Sequence, residues 1–124
     1  MLRKQREMDS VIGELYASIE REGHLQSTLL VLCGDHGMND AGNHGGSSSG
    51  ETSPALLFIS PLFKTMGGPR HQAPIDIPDD FQCYKTVDQT DIVPTLAGLL
   101  GFPIPLNNLG VFIPDLLGVW HSCE

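Results

Sequence analysis

Three side chains that can bind a metal ion follow a short apolar segment and lie close together in the sequence. They are Asp35, His36 and His44. Carboxylate oxygens and imidazole nitrogens both bind borderline cations such as zinc. Glycines at 34 and 37 allow the sharp turn that directs neighbouring side chains into one site. The spacing predicts a metal site, and the alternative from residue types alone is an exposed turn with a capping Asp and solvated histidines.

A strand is expected to position these residues. The segment Thr-Leu-Leu-Val-Leu-Cys at 28–33 is continuous and apolar, as is typical of a parallel strand covered on both faces. Ligands of open α/β sheets bind beyond the carboxyl ends of such strands, where Asp35 and His36 follow. A second strand is predicted at 55–59.

Helices are predicted on both sides of this region. Apolar residues recur at three- and four-residue spacing between about Lys4 and Glu22, which predicts a helix that packs on the sheet. A second helix is predicted from an N-cap at Thr90 to about Leu100, with Gly101 after its end. The sequence therefore predicts an α/β fold with a mostly parallel sheet flanked by helices.

Two segments between these elements are predicted to be loops. The glycine- and serine-rich residues 45–52 lack the Lys of a P-loop, so a mobile loop is favoured over a phosphate cradle. Glycines and prolines predict an exposed loop from Lys64 to Tyr84.

Several motifs together resemble one known family. Gly-Asp-His-Gly-Met at 34–38 and Gly-Asn-His-Gly at 42–45 are similar to the metal-binding motif of the alkaline-phosphatase superfamily. The likeness extends along most of the chain, through segments at 4–9, 51–55, 89–97 and 103–110. In this combination the chain resembles the GPI ethanolamine phosphate transferases, in the form that acts on the second mannose of the glycan.

The resemblance implies a partial alkaline-phosphatase-like fold, with residues 1–124 as the C-terminal part of a lumenal catalytic domain. It assigns Asp35 and His36 to one metal ion, and His44 to a second ion or to the phosphate. Zinc is the implied metal. The threonine nucleophile and the other ligands are implied upstream, so no catalytic nucleophile is assigned within the chain. By the same resemblance, Thr90, Asp91 and Thr95 are expected to be structural.

The amino-acid composition limits the classes of partner that the chain can bind. The 124 residues carry a formal net charge of −8, which argues against a nucleic-acid surface. No segment is apolar over the roughly 18 residues of a membrane span, and the charged start does not read as a signal peptide. Transmembrane regions are therefore expected to be absent from these residues. The three cysteines, at 33, 83 and 123, fit no zinc ribbon.

The function that the resemblance implies is transfer of ethanolamine phosphate from phosphatidylethanolamine to a mannose of the GPI glycolipid precursor, at the endoplasmic reticulum membrane. The chain alone is expected to be inactive, and the full-length protein is expected to reach the membrane through other regions. One alternative is a soluble metal-dependent phosphodiesterase, phosphatase or sulfatase of the same superfamily. The other is a non-catalytic remnant that folds or binds a partner without turnover.

Overall fold

The computed structural model describes residues 2–64 and 85–117. Its helices and strands are α1 (Leu2–Arg21), β1 (Leu30–Cys33), α2 (Ser49–Thr52), β2 (Leu56–Ile59) and α3 (Ile92–Leu100). Short 3-10 helices lie at Gly23–Leu25, Pro61–Lys64 and Gln89–Asp91. The chain divides into two compact units, residues 1–64 and 65–124. The loop predicted between Lys64 and Tyr84 lies outside the described residues except for Lys64, as do Cys83 and Cys123.

Helix α1 is close to the helix predicted from apolar spacing. At its C-terminal end, Gln26 Nε2 donates to the Ile19 carbonyl at 3.1 Å, which satisfies a helix-end acceptor. Ile19 is buried, but Met8, Val11 and Leu15 are 45–62% exposed. The predicted packing of the whole apolar face on the sheet is therefore wrong in the described part of the chain. The reason is size, because a 20-residue helix is about 30 Å long and a four-residue strand only about 13 Å.

The two described strands pair antiparallel, with Leu30 opposite Ile59 and Cys33 opposite Leu56. The prediction of a parallel sheet is wrong for this pair. Parallel neighbours need a long crossover, usually a helix, to return the chain to the same end of the sheet. Between β1 and β2 the only helix is the four-residue α2, so the chain reverses direction. The described part therefore contains both helices and strands, as predicted, but its two strands form a small antiparallel ribbon.

Strand β1 is also less covered than its apolar sequence predicts. Leu30 and Val31 are half-buried, whereas Leu32 and Cys33 are exposed. The ladder continues one step beyond the strand, because Gly34 N–H donates to the Ala55 carbonyl at 3.0 Å. The next residue, Asp35, thus begins the loop at the carboxyl end of β1, as expected.

In the second unit, α3 continues from the 3-10 turn at Gln89–Asp91. The turn is preceded by Asp88, whose N–H donates to the Asp91 carboxylate at 3.2 Å, so the predicted N-cap at Thr90 is wrong. The capping geometry belongs to Asp88 because the extra turn moves the start of the helical segment toward the N-terminus. The predicted end is confirmed: Gly101 has φ 71°, and its N–H returns to the last turn of α3.

Thr95 and Asp91 have the structural roles that were expected. The fully buried Thr95 hydroxyl donates to the Asp91 carbonyl at 2.6 Å and accepts from Ile113 N–H at 2.9 Å. The Asp91 carboxylate accepts from Val111 N–H at 2.8 Å. These bonds attach residues 111–113 to the start of α3, and Ala97, Ile113 and Leu116 form the buried apolar centre of this unit. None of the helices described, in either unit, combines the length and apolar character needed to cross a bilayer.

Candidate functional site

Asp35 and His36 lie side by side at the exposed end of β1. Their side chains approach to 3.7 Å between Asp35 Oδ2 and His36 Nε2, and they are 89% and 40% exposed. Asp35 Oδ1 accepts the backbone N–H of His36 at 2.9 Å, which fixes the carboxylate against its own turn. The turn therefore leaves one oxygen and one nitrogen facing each other at the surface.

The ring of His36 has a defined tautomer in this arrangement. Its Nδ1 lies 2.8 Å from the carbonyl oxygen of Gly37. Since a carbonyl can only accept, Nδ1 carries a hydrogen, and in the neutral ring Nε2 then keeps its lone pair. Two ligands of one tetrahedral zinc ion, each about 2.0–2.1 Å from it, lie roughly 3.3 Å apart. The 3.7 Å between Nε2 and the carboxylate is close to that spacing, so Asp35 and His36 fit as two ligands of one ion.

His44 is brought to the same place but does not point to the same ion. Its ring stacks on His36, with centroids 4.4 Å apart and planes within 5°. Imidazole lone pairs lie in the ring plane, so two stacked rings direct theirs along parallel planes. One ion therefore cannot be ligated by both rings in this arrangement. Among the described residues, no group of three His, Cys, Asp or Glu is arranged to hold a metal.

Asn39 closes the turn that returns His44 to His36. Its side-chain oxygen accepts N–H bonds from Ala41 and Asn43 at 3.1 and 3.0 Å, and its backbone N–H donates to the Asn43 carbonyl at 3.0 Å. Gly42 completes the turn with φ 81°, a conformation that costs glycine little. His44 follows directly and is therefore placed by this five-residue turn.

Glu51 is the residue on which the rest of the loop depends. The residue is only 9% exposed. Oε1 accepts from Gly46 N–H at 3.1 Å and from Asn39 Nδ2 at 3.4 Å. Oε2 accepts from Ser48 N–H at 3.2 Å and from the Ser48 hydroxyl at 2.5 Å. The Glu51 carbonyl also accepts from Gly37 N–H at 2.9 Å, so one residue holds both sides of the loop.

These bonds correct the prediction for residues 45–52. The segment is tied to Glu51 and includes α2, and its Gly46 and Ser48 N–H groups are already bound to a carboxylate within the chain. Residues 49–52 are therefore helical and not a loop, and those two N–H groups are not free to cradle a phosphate. Sequence reasoning missed Glu51 and Asn39. The signal for Glu51 was present, because Ser48 and Glu51 have the Ser-x-x-Glu spacing of a capping box.

The Ser48 hydroxyl has the Glu51 carboxylate beside it. That carboxylate is a weak base, because the bond from the Ser48 hydroxyl is the largest influence on Glu51 and lowers its pKa. Burial acts in the opposite direction, and the N–H groups of Gly46 and Ser48 lower the pKa further. A general base works best with a pKa near the working pH, so Glu51 is poorly suited to activating Ser48.

Comparisons with known proteins agree with the motifs. GPI ethanolamine phosphate transferase 2 of Aspergillus fumigatus is 66% identical over 98% of the chain, and its namesake in Aspergillus oryzae is 65% identical over 97%. The protein of that name from Debaryomyces hansenii is 52% identical over 97%. These matches confirm the resemblance to this family of transferases.

The chain spans only 13–16% of the length of these three relatives. No solved structure matches it. The family model described as Sulfatase matches residues 1–102, which include the two described strands and the complete loop that carries Asp35, His36 and His44. The chain therefore belongs to the sulfatase family.

Proposed function

We propose that the chain is part of the catalytic domain of an enzyme that transfers ethanolamine phosphate to a mannose of the GPI-anchor precursor. The observation that carries this proposal is the likeness, over almost the whole chain, to proteins named for that activity. We further propose phosphatidylethanolamine as donor, the second mannose as acceptor, and the lumenal side of the endoplasmic reticulum membrane as the location. The domain is of the alkaline-phosphatase-like α/β type, consistent with the sulfatase match.

In this proposal Asp35 and His36 hold a zinc ion at the end of β1. When bound, zinc supplies Lewis-acid stabilisation of charge on the phosphoryl oxygens and lowers the pKa of a coordinated hydroxyl. The hydrogen bond from His36 Nδ1 to the Gly37 carbonyl keeps Nε2 aimed outward, beside the Asp35 carboxylate. Such outer bonds to a ligating histidine fix its orientation and raise its basicity. His44, stacked on His36, contacts the phosphate or a second ion.

The chain by itself is proposed to be inactive. Its described residues supply two donors that fit one ion, whereas catalytic zinc sites use three protein ligands. Purified chain saturated with zinc, assayed with a lipid donor and a mannose-containing acceptor, should show no transfer. Turnover that disappears in a Ser48→Ala variant would mean that the chain is a complete small enzyme.

The test of the transferase proposal uses the full-length protein. We expect Asp35→Ala and His36→Ala each to lower transfer by about 1000-fold or more, since a metal ion supplies several kcal/mol and each 1.4 kcal/mol is about tenfold. His24→Ala is the matched control, because His24 is 74% exposed and lies beside Glu22 outside the loop. Transfer within a few fold of normal in either loop variant would contradict the proposal.

The same preparations separate the two alternatives. Hydrolysis of an aryl phosphodiester or sulfate ester without transfer to mannose would favour a soluble hydrolase of this family. Absence of both activities in a full-length protein that folds normally would favour the non-catalytic remnant.

A further inference from the structure

We propose that Glu51 is a positioning residue that holds the rings of His36 and His44 against each other at the proposed metal site. The described structure shows Glu51 bonded to both sides of the loop that joins the two histidines. This inference deepens the proposed function and rests on it for the role of the metal. The ring contact itself is observable without metal.

The first argument is connectivity. The backbone of Glu51 accepts the N–H of Gly37, next to His36, and its carboxylate accepts the N–H of Gly46, two residues after His44. The same carboxylate reaches Asn39, whose turn returns the chain to His44. Glu51 therefore contacts the loop directly after His36 and on both sides of His44.

The second argument is packing around the backbone. A β-carbon at Gly37 would lie 1.9 Å from the Gly50 carbonyl oxygen, and one at Gly50 would lie 2.7 Å from the Met38 carbonyl oxygen. The two sides of the loop thus touch directly at their backbones. Side chains at these positions would separate Glu51 from its donors, so this close approach belongs to the same arrangement.

The third argument is that the donors around position 51 require both oxygens of a carboxylate. All four donors on the Glu51 side chain divide between its two oxygens, two on each. A glutamine has the same shape but only one oxygen, so its amide group would face two N–H or O–H donors. Glu51→Gln therefore leaves two of the four donors without a carboxylate oxygen while changing the side-chain volume little. These part-buried donors, left without an acceptor, favour an opened loop.

The experiment measures the His36–His44 contact by NMR in the metal-free 124-residue chain. Nuclear Overhauser effects between the two rings should be present in the unsubstituted chain and lost in Glu51→Gln, with the helical circular dichroism unchanged. Glu14→Gln is the matched control, because it removes one exposed carboxylate from α1 and should keep the contact. Protection of the Gly46 and Ser48 amides against hydrogen exchange should fall only in Glu51→Gln.

A second pair of variants applies if Glu51→Gln fails to fold. Ser48→Ala removes one donor to the carboxylate and should weaken the ring contact, whereas Ser48→Thr keeps the hydroxyl and should restore it. Ring contacts equal to those of the unsubstituted chain in both Glu51→Gln and Ser48→Ala would overturn the proposal. Absence of the contact in the unsubstituted chain would overturn it as well.

A zinc titration connects the contact to the metal. We expect Glu51→Gln to weaken zinc binding by about 10–100-fold relative to Glu14→Gln, the range seen when a residue that orients metal ligands is lost. Unchanged affinity in Glu51→Gln would show that Glu51 does not act on the metal site. If Asp35→Asn and His36→Gln leave zinc binding unchanged, the metal proposal fails, and the ring contacts still decide the role of Glu51.

Discussion

Each unit of the chain has a buried polar residue at the centre of a hydrogen-bond network, Glu51 in the first and Thr95 in the second, and the two side chains differ in charge. In the first unit Glu51 accepts four hydrogen bonds from residues 39–48. In the second unit Thr95 donates one bond and accepts one, and so attaches Ile113 to α3. Among the described residues, no buried side-chain nitrogen or oxygen lacks a partner.

The difference bears on why the proposed metal site lies in the first unit. Thr95 is neutral and uses its bonds to bury the apolar residues around it, with Ala97 and Ile113 both almost inaccessible. Glu51 holds a loop whose own side chains remain outside, so Asp35, His36 and His44 stay accessible to a ligand. A small hydroxyl thus stabilises a core, and a carboxylate stabilises an exposed loop.

The largest loss of stability is expected where backbone meets backbone in the loop. Gly37→Ala places a β-carbon 1.9 Å from the Gly50 carbonyl oxygen and should destabilise the first unit by about 1–3 kcal/mol or more. Gly13→Ala, on α1 with no atom within 4 Å of the new carbon, should instead stabilise it by about 0.5–1 kcal/mol. Urea unfolding followed by circular dichroism measures both. Equal free energies of unfolding for Gly37→Ala and Gly13→Ala would mean that the loop is not closed against Gly50.

The next prediction tests Thr95, the buried polar residue of the second unit. Thr95→Val keeps the shape but removes the acceptor of Ile113 N–H, so the free energy of unfolding should fall by about 1–3 kcal/mol. Thr86→Val, at an exposed position, is the matched control and should change it by less than about 0.5 kcal/mol. Hydrogen exchange of the Ile113 amide reports the change locally. Full protection of that amide in Thr95→Val would contradict the assigned role.

The smallest expected effect distinguishes Glu51 from Thr95 by the pH dependence of stability. Bonding lowers the folded-state pKa of Glu51, with the Ser48 hydroxyl as the largest cause. Its stabilisation is therefore fully present above the unfolded-state pKa of about 4.3 and is lost as pH falls through the lower folded value. The stability difference between the unsubstituted chain and Glu51→Gln should shrink between pH 7 and pH 3. The stability difference for Thr95→Val should stay constant, because threonine does not titrate. The distinction between Glu51 and Thr95 would be contradicted if the stability difference of both variants changed with pH in the same way.

Local elements could be read from the sequence because they depend on near neighbours. The apolar spacing of α1, the apolar run of β2 and the glycine after α3 all gave bounds within about two residues of the structure. Pairing direction could not be read, because it depends on how residues 34–55 connect the strands. The exposure of Leu32 was missed for the same reason, since burial depends on which other segments cover a strand.

The candidate site was predictable in its residues but not in its arrangement. Asp35 and His36 could be placed together because they are adjacent at a strand end. The stacking of His44 on His36 depends on the turn closed by Asn39, where the sequence indicates only proximity. Glu51 gathers donors from three positions along the loop, and the Ser-x-x-Glu pattern accounts for only one of them.

The most direct test of the central claim, that Asp35 and His36 bind the catalytic metal, is the metal content of the purified full-length protein. Inductively coupled plasma mass spectrometry should find zinc in the unsubstituted protein and in His24→Ala, and a reduced amount in Asp35→Ala and His36→Ala. Circular dichroism should show the same helical content in all four proteins. Zinc retained at the unsubstituted level in both loop variants would contradict the account.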